Sequence, residues 1–372
     1  MKILSLLIVQ LCFIAACTAQ TPAEIIAQVK EAQKNISNIY CKTERHDTLV
    51  MGVVRTFAGE AKILLLPGDT IFGFRFYAKR DDIHVESIYD GNAAFYIDHD
   101  HKQFNRFGRA EMIPAILDYR GGGQLIFPDL IKIDTANAAG FELKQDAANY
   151  YLKILLPDIE KYDVRKRYKL LTIDKKLMLP TGISMRQVTL DKVQNLVYRV
   201  KEIRINDPAD LYDFASQRYP EDYKPEENFI NKKLLALNGK QFPPFQLTSF
   251  DDKPVNSAYL KGKLVLLDFW EVWCGACVVS LPKVQALHEK YKSKGLEVYG
   301  VMHEKGNRST AKLLLQKKKL NIPMLLGNSK TKNDYSVGAV PLYILIDRSG
   351  KIVLASEGYP ENIEELILKY LE

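Results

Sequence analysis

The sequence predicts two folded parts of different class: an N-terminal α+β part built on an antiparallel, half-barrel-like sheet, and a C-terminal α/β part. The chain has 372 residues, more than one domain of about 150 residues needs. Its first part is a long series of segments that alternate apolar and polar residues, as antiparallel strands with one buried face do. Its second part alternates continuous apolar strands with helical patterns. We therefore divide the chain into residues 1–19, 20–206, 207–236 and 237–372.

Residues 1–19 have the pattern of an export signal, with a basic residue, an apolar stretch and small residues in turn. The apolar stretch is short for a bilayer span, which needs roughly 20 apolar residues. Two processing outcomes are open. The segment Ile14-Ala15-Ala16-Cys17 resembles a bacterial lipoprotein signal, in which Cys17 is lipidated, whereas Cys17-Thr18-Ala19 fits ordinary cleavage between small residues. Both outcomes predict an exported protein, periplasmic or membrane-anchored and facing the periplasm, where disulfides persist.

The region 20–206 is predicted to be a helix followed by a long antiparallel meander, curved around short helices. The helix covers residues 22–36, where apolar residues form one stripe. Turn signals such as Pro67-Gly68-Asp69 and Asp90-Gly91-Asn92 separate the strands that follow. The predicted strands are 39–50, 61–66, 71–78, 83–89, 94–97, 141–145, 150–156, 165–173 and 196–205, with short helices at 110–119 and 124–131. Cys41, on the first of these strands, is expected to be a buried small residue.

The alternating pattern ends at residue 206. Three prolines with charged residues between them predict a linker over 207–236, with one short helix at 209–216.

Two cysteines, Cys274 and Cys277, lie between an apolar strand at 263–269 and a helix. At the N-terminus of a helix, unpaired N–H groups and the dipole favour an anion, so the thiolate of Cys274 should form readily. Cys277 is one helical turn away, within reach of a mixed disulfide formed by Cys274. The spacing therefore predicts that Cys274 attacks and Cys277 resolves. The dithiol carries two electrons itself, so no cofactor is needed.

The alternatives for such a pair are half a zinc site and two inert buried thiols. Zinc needs two more ligands, and the chain contains neither a second C-x-x-C nor an H-x3-H. A second cluster, residues 98–101 with His99 and His101, has the residue types of a metal site but also those of an ordinary polar turn. No metal site is predicted.

The sequence around the cysteines resembles a known family. Asp268-Phe269-Trp270, Trp273-Cys274-Gly275-Ala276-Cys277 and Pro282 resemble thioredoxins, and especially TlpA-like thiol-disulfide reductases. Val340-Pro341 is similar to the family's cis-proline, and residues 344–353 to its terminal hairpin. Segments 242–247, 251–255 and 260–263 resemble the opening strands of TlpA-like and peroxiredoxin-like domains. The resemblance covers the last third of the chain and implies a thioredoxin fold there.

The resemblance also implies roles for single residues. Asp268 would lie buried behind the pair and relay the proton of Cys277, Trp273 would pack the site, and Pro341 would present a backbone edge to the substrate. The sequence departs from the family at Ala276, where proline is usual. Because this dipeptide tunes the potential, with relatives of this type spanning about −270 to about −120 mV, the direction of electron flow stays open.

The implied partners are protein disulfide substrates and a membrane thiol-reducing electron donor. Nucleic acid is not expected, because the net charge of +7 is dispersed and no basic-aromatic motif occurs. A shorter stretch, residues 85–98 with Lys102-Gln103, resembles LolA-like lipoprotein carriers and implies a lipid or lipoprotein ligand for the N-terminal region. The alternative there is a packed core without a ligand.

The sequence thus predicts an exported thiol-disulfide oxidoreductase that reduces disulfides of extracytoplasmic proteins. One alternative is a lipid-binding or partner-binding carrier or scaffold to which the thioredoxin domain is accessory. Another is a peroxidase of the peroxiredoxin type, which normally has proline and threonine ahead of its cysteine and no C-x-x-C.

Overall fold

A computed structural model describes residues 20–50, 52–160, 163–216, 218–226 and 231–371. The described strands form two separate sheets, one in each predicted part of the chain. None of the helices formed by the described residues has the length and apolar character needed to cross a membrane. The predicted export signal and Cys17 lie outside the described residues.

The first sheet contains twelve strands of the described chain, in the order β12-β6-β5-β4-β3-β2-β1-β11-β10-β9-β8-β7. Neighbours are antiparallel except β12 and β6, which are parallel. The pairing of β1 with β11 joins two meanders, so the sheet has one long-range connection near its middle. The strands are β1 Asn38–Thr48, β2 Val54–Leu65, β3 Phe74–Arg80, β4 Val85–Tyr89, β5 Ala94–Asp98, β6 Gln103–Phe107, β7 Gly140–Gln145, β8 Asn149–Leu156, β9 Val164–Asp174, β10 Leu179–Thr189, β11 Lys192–Ile205 and β12 Lys224–Pro225.

One face of this sheet is filled by the chain's own side chains. Helix α1, Pro22–Lys34, starts with a capping box in which Thr21 and Glu24 exchange hydrogen bonds, and it buries Ile25 and Val29 in the core. The helices predicted at 110–119 and 124–131 are short 3-10 turns, at Ile113–Leu117, Gly122–Leu125 and Pro128–Leu130. They complete the packing on the same side, so this face of the sheet is a packed core.

Part of the region predicted as a linker packs on the other face of the sheet, over strands β3 to β6. The helix predicted at 209–216 is wrong, since only a single turn forms at Pro208–Asp210. Tyr212 stacks on Tyr77 with ring centroids 4.6 Å apart, and Tyr219 stacks on Phe104 at 3.7 Å. Aromatic burial therefore holds residues 212–216 and 218–225 against the sheet, ending in the pairing of β12 with β6.

The second sheet has seven strands of the described chain, in the order β14-β13-β17-β16-β15-β18-β19. Strand β15 is central and buried on both faces, which explains its continuous apolar sequence. It is parallel to β16 and antiparallel to β18. The elements are α2 Lys232–Leu235, β13 Gln246–Ser249, β14 Pro254–Asn256, β15 Leu264–Phe269, α3 Gly275–Tyr291, β16 Leu296–Met302, α4 Arg308–Lys317, β17 Met324–Leu326, α5 Ser329–Asp334, β18 Leu342–Ile346, β19 Ile352–Glu357 and α6 Ile363–Leu371.

Sequence patterns did not predict strand β10, although it lies in the interior of the first sheet. Pro180 and Gly182 argue against a central strand, because proline cannot donate to the ladder and glycine adds no packing. The structure accommodates both residues at a register shift between β10 and β9.

Candidate active site at the cysteine pair

Strand β15 and helix α3 position the two cysteines. Cys274 is the N-cap of α3, and the chain turns between the two elements from Trp270 to Cys274. Cys274 and Cys277 form a disulfide with their Cα atoms 5.2 Å apart, a usual separation for such a bond. The structure therefore brings together the two residues predicted to exchange a disulfide.

The surroundings of Cys274 favour a negative charge on its sulfur. The backbone N–H of Cys277 donates to Cys274 Sγ at 3.1 Å. That N–H belongs to the first turn of α3, where backbone donors lack helical partners and the dipole is positive. Cys274 is slightly exposed, whereas Cys277 is fully buried. Of the two sulfur-bearing residues, only Cys274 is therefore accessible to a substrate, and the assignment of Cys274 as the attacking residue stays a prediction.

The loop before β18 forms one wall of the site. Its Val340–Pro341 peptide bond is cis. The carbonyl oxygen of Val340 lies 3.5 Å from Cys274 Sγ. Trp273, which precedes Cys274 in the chain, leaves 51% of its surface exposed, unlike the fully buried Trp270. The Val340–Pro341 peptide and Trp273 thus lie next to Cys274.

Asp268 lies beneath the pair on the central strand. Strand alternation puts its side chain on the same face as Leu266, which packs in one cluster with Cys277. Its register partner on β18 is Tyr343, whose hydroxyl donates to Ser280 Oγ on α3 at 2.7 Å. Neither carboxylate oxygen has a hydrogen-bond partner among the described residues. Burial raises the pKa of Asp268 to about 8, so the group can hold or release a proton near neutral pH.

Glu271 is a second buried carboxylate that the sequence analysis did not single out. Its Oε1 accepts hydrogen bonds from the backbone N–H groups of His303, at 2.7 Å, and Glu304, at 3.1 Å. Burial raises its pKa to about 7, and the two backbone donors counteract part of that rise. Glu271 thereby ties the cysteine turn to the loop after β16. A carboxylate inside an otherwise apolar run was the available signal.

The first sheet also reaches the site, which the sequence analysis missed. Two of its hairpin ends, at residues 49–50 with 53 and at 189–192, lie opposite the start of α3. Between them lies a cleft of 610 Å³, which we call the inter-sheet cleft. Its walls include Leu49, Val50, Val53 and Leu190 from the first sheet and Trp273 and Val278 from the second. The cleft borders Trp273 and Gly275, the two neighbours of Cys274.

The histidines considered as metal ligands are engaged separately. His101 bonds Asp98 at 2.9 Å, and His99 bonds the hydroxyl of Tyr223 at 2.8 Å. Within the part of the chain that the structure describes, no group of three potential ligands is positioned to hold a metal ion. Cys41 is buried in the core of the first sheet, as expected, and burial raises its thiol pKa to about 11.

The fold of the second sheet and the cysteine pair at the start of α3 define a thioredoxin-fold thiol-disulfide oxidoreductase. Residues 238–355 match the AhpC/TSA family model. The thiol-disulfide oxidoreductase ResA of Bacillus cereus is 32% identical over 145 residues, covering 39% of this chain and 82% of that protein. ResA of Bacillus thuringiensis is 31% identical over 144 residues, covering 38% and 82%. The chain belongs to the TlpA-like thioredoxin-fold thiol-disulfide oxidoreductases, the family that these ResA proteins represent.

Solved structures show similarity over the same share of the chain. The thioredoxin domain of a thiol-disulfide oxidoreductase from Bacteroides vulgatus is 24% identical, with a TM-score of 0.34, and covers 36% of this chain and 98% of that one. The resemblance of residues 85–98 to LolA-like carriers finds no support in these comparisons and stays a prediction.

Proposed function

We propose that the chain is an exported enzyme that reduces disulfides of extracytoplasmic proteins through Cys274 and Cys277. The observation that carries the proposal is the position of Cys274 Sγ, which caps α3 and accepts the N–H of Cys277 at 3.1 Å. This contact stabilises the thiolate of Cys274. The adjacent exposed Trp273 and the Val340–Pro341 backbone edge give a substrate chain surfaces to contact.

The reaction proceeds in two exchanges. The Cys274 thiolate attacks one sulfur of the substrate disulfide, forms a mixed disulfide and releases the other substrate sulfur as a thiolate. Cys277 then loses its proton and attacks Cys274 Sγ. This attack closes the enzyme disulfide and releases the second substrate thiol, so two electrons have passed to the substrate.

Asp268 is proposed to accept the proton of Cys277. Its carboxylate lies on the face of β15 that packs in one cluster with Cys277. Neither carboxylate oxygen has a hydrogen-bond partner in the described chain. Its pKa of about 8 is close to that of a thiol, at about 8.5, so proton transfer between them costs little free energy. A separate membrane-bound thiol donor would return the enzyme to its dithiol form.

Export is proposed from the signal pattern at residues 1–19 and from the need for a compartment where substrate disulfides persist. Fractionation of cells that express the full chain and its Cys17→Ser variant tests both points. Loss of membrane attachment in the variant alone would indicate lipidation at Cys17, and a cytoplasmic product in both cases would contradict export.

Equilibration of the cysteine pair against glutathione or dithiothreitol tests the proposed direction. A potential near the thioredoxin value of about −270 mV fits a reductant, while a value near about −120 mV would make the protein an oxidant of folding chains. Cys277→Ser is the control, since it cannot form the internal disulfide and should show no reversible transition. Absence of any transition in the wild type would refute the enzymatic role.

The alternative of a lipid carrier has less support. The face of the first sheet covered by α1 is filled by buried side chains such as Phe74, Phe76 and Ile154, which are all fully buried.

A further inference from the structure

Side chains of the first sheet pack against the second sheet beside the inter-sheet cleft, so the cleft has a defined shape. Leu190, at the tip of the β10–β11 hairpin, is 3% exposed and packs in the apolar cluster of the second sheet with Val272. Its backbone φ is 51° and that of Asp191 is 59°, as expected for the two central residues of a tight two-residue hairpin turn.

Ion pairs hold the same hairpin against helix α4. Lys317 Nζ lies 3.1 Å from Asp163 Oδ2 and 3.3 Å from Asp191 Oδ2. Arg165 contacts the same two carboxylates. Lys317 of helix α4 thus pairs with two carboxylates from the first part of the chain, next to the buried Leu190. The hairpin end therefore keeps a defined position beside the active site.

The side chains that line the cleft are mostly apolar, and most of the others are neutral groups that can form hydrogen bonds. Among its lining residues in the described chain, Glu304 has the single charged side chain. The amides of Gln187 and Gln194, which bond to each other, lie in the same wall. Apolar walls exclude charged small disulfides such as oxidised glutathione, whereas side-chain amides match the donors and acceptors of a peptide backbone.

Two of the apolar side chains that line the cleft are largely exposed to solvent. Val53, at a hairpin end of the first sheet, is 55% exposed, and Trp273, beside the reactive cysteine, is 51% exposed. Apolar surface gathered at the entrance of a ligand site is typical of surface that a partner covers.

We infer that the inter-sheet cleft binds an extended segment of unfolded polypeptide in which apolar residues flank the cysteine to be reduced. The inference rests on the proposed function, because a disulfide must reach Cys274 for the cleft to matter. A volume of 610 Å³ accepts a few side chains and excludes a folded domain. Apolar sequences around a disulfide are buried in folded proteins and accessible in unfolded ones. The first sheet therefore selects non-native substrates for the cysteine pair.

Two short uncharged peptides of equal length test the inference, each with one internal disulfide. Valine and leucine flank the cysteines in one peptide, and serine and asparagine in the other. The reduced full-length protein is mixed with each peptide, and the second-order rate constant is followed by tryptophan fluorescence. Burial of part of one aliphatic side chain predicts a roughly tenfold preference for the apolar peptide, equivalent to about 1.4 kcal/mol.

Val53→Asp is the test variant, because the exposed side chain lies on the cleft wall and its replacement leaves the core intact. We expect this variant to lose most of the preference between the peptides. Leu177→Asp is the matched control. Leu177 is 38% exposed at the other end of strands β9 and β10, so the variant should keep the wild-type preference.

The outcomes separate the inference from the proposed function. Equal rates for the two wild-type reactions, or an undiminished preference in Val53→Asp, would overturn the inference while disulfide reduction stands. The variant Val53→Asp could also change the rate with dipyridyl disulfide while the wild type does not discriminate between the peptides. That result would show that the cleft takes small apolar molecules and would also overturn the inference. Failure of the wild type to reduce any disulfide would refute the proposed function itself.

Discussion

The buried carboxyl of Asp268 makes a quantitative prediction about stability and pH. The group is 1% exposed and lacks a hydrogen-bond partner in the described chain, so the folded protein holds it with a raised pKa of about 8. In the unfolded chain the carboxyl has its ordinary pKa of 3.8. A group whose pKa is raised by folding contributes its full share of stability below the unfolded pKa. That share is lost as pH rises toward the folded pKa.

The magnitude follows from about 1.4 kcal/mol for each unit between the two pKa values. Relative to a group that does not titrate, Asp268 should lower the free energy of unfolding by about 2 kcal/mol at about pH 5 and by about 5 kcal/mol at about pH 8, as upper bounds. Asp268→Asn removes the titration and adds a constant cost for a buried amide. The free energy of unfolding of the variant, relative to wild type, should therefore rise by roughly 3 kcal/mol between those two pH values.

Guanidinium unfolding followed by tryptophan fluorescence measures this difference in the relevant domain, since both tryptophans of the chain, Trp270 and Trp273, lie in the cysteine turn. The oxidised protein is used so that neither Cys274 nor Cys277 titrates. Glu271, whose pKa is also raised, is present in both proteins and cancels in the comparison. A stability difference that stays constant between about pH 5 and about pH 8 would refute a buried, unpaired carboxyl at this position.

Three other predictions concern different parts of the molecule. Glu271→Ala should lower the free energy of unfolding in the same fluorescence assay by roughly 1–3 kcal/mol, because two buried backbone donors lose their acceptor, whereas Glu271→Gln keeps an acceptor and should cost less. Equal losses in the two variants would contradict this role. Gly122→Ala should destabilise the first sheet by about 1–3 kcal/mol in thermal melts followed by circular dichroism, since a Cβ there would lie 2.1 Å from the backbone of Ala78; an unchanged melting temperature would argue against that close approach. Cys41 should resist iodoacetamide in the native reduced protein and react after unfolding, as peptide mapping can show, because burial raises its thiol pKa to about 11; rapid native labelling would contradict its burial.

Local sequence determined the cysteine site because its parts are adjacent in the chain. The apolar run ending at Phe269, the two cysteines and the apolar spacing that follows were sufficient to predict a strand, a turn and a helix, and the structure has β15 and α3 at those positions. The family resemblance added Asp268 and Pro341. These two residues lie far apart in the sequence, and no local pattern predicts that they come together at one site. Most strands of the first sheet were also predicted, because alternation of apolar and polar residues indicates a strand with one buried face.

Tertiary structure alone decided what surrounds the site. The packing of the two sheets brings Leu190 into the apolar cluster of the second sheet and places Val53 and Trp273 in the wall of one cleft. No periodicity in the sequence encodes that approach, because it depends on how two sheets pack and not on the residues next to each position. The buried state of Glu271 has the same origin, since its partners are two backbone amides more than thirty residues away. Sequence patterns thus determined the chemistry of the cysteine pair, while long-range packing decided which surfaces a substrate meets beside it.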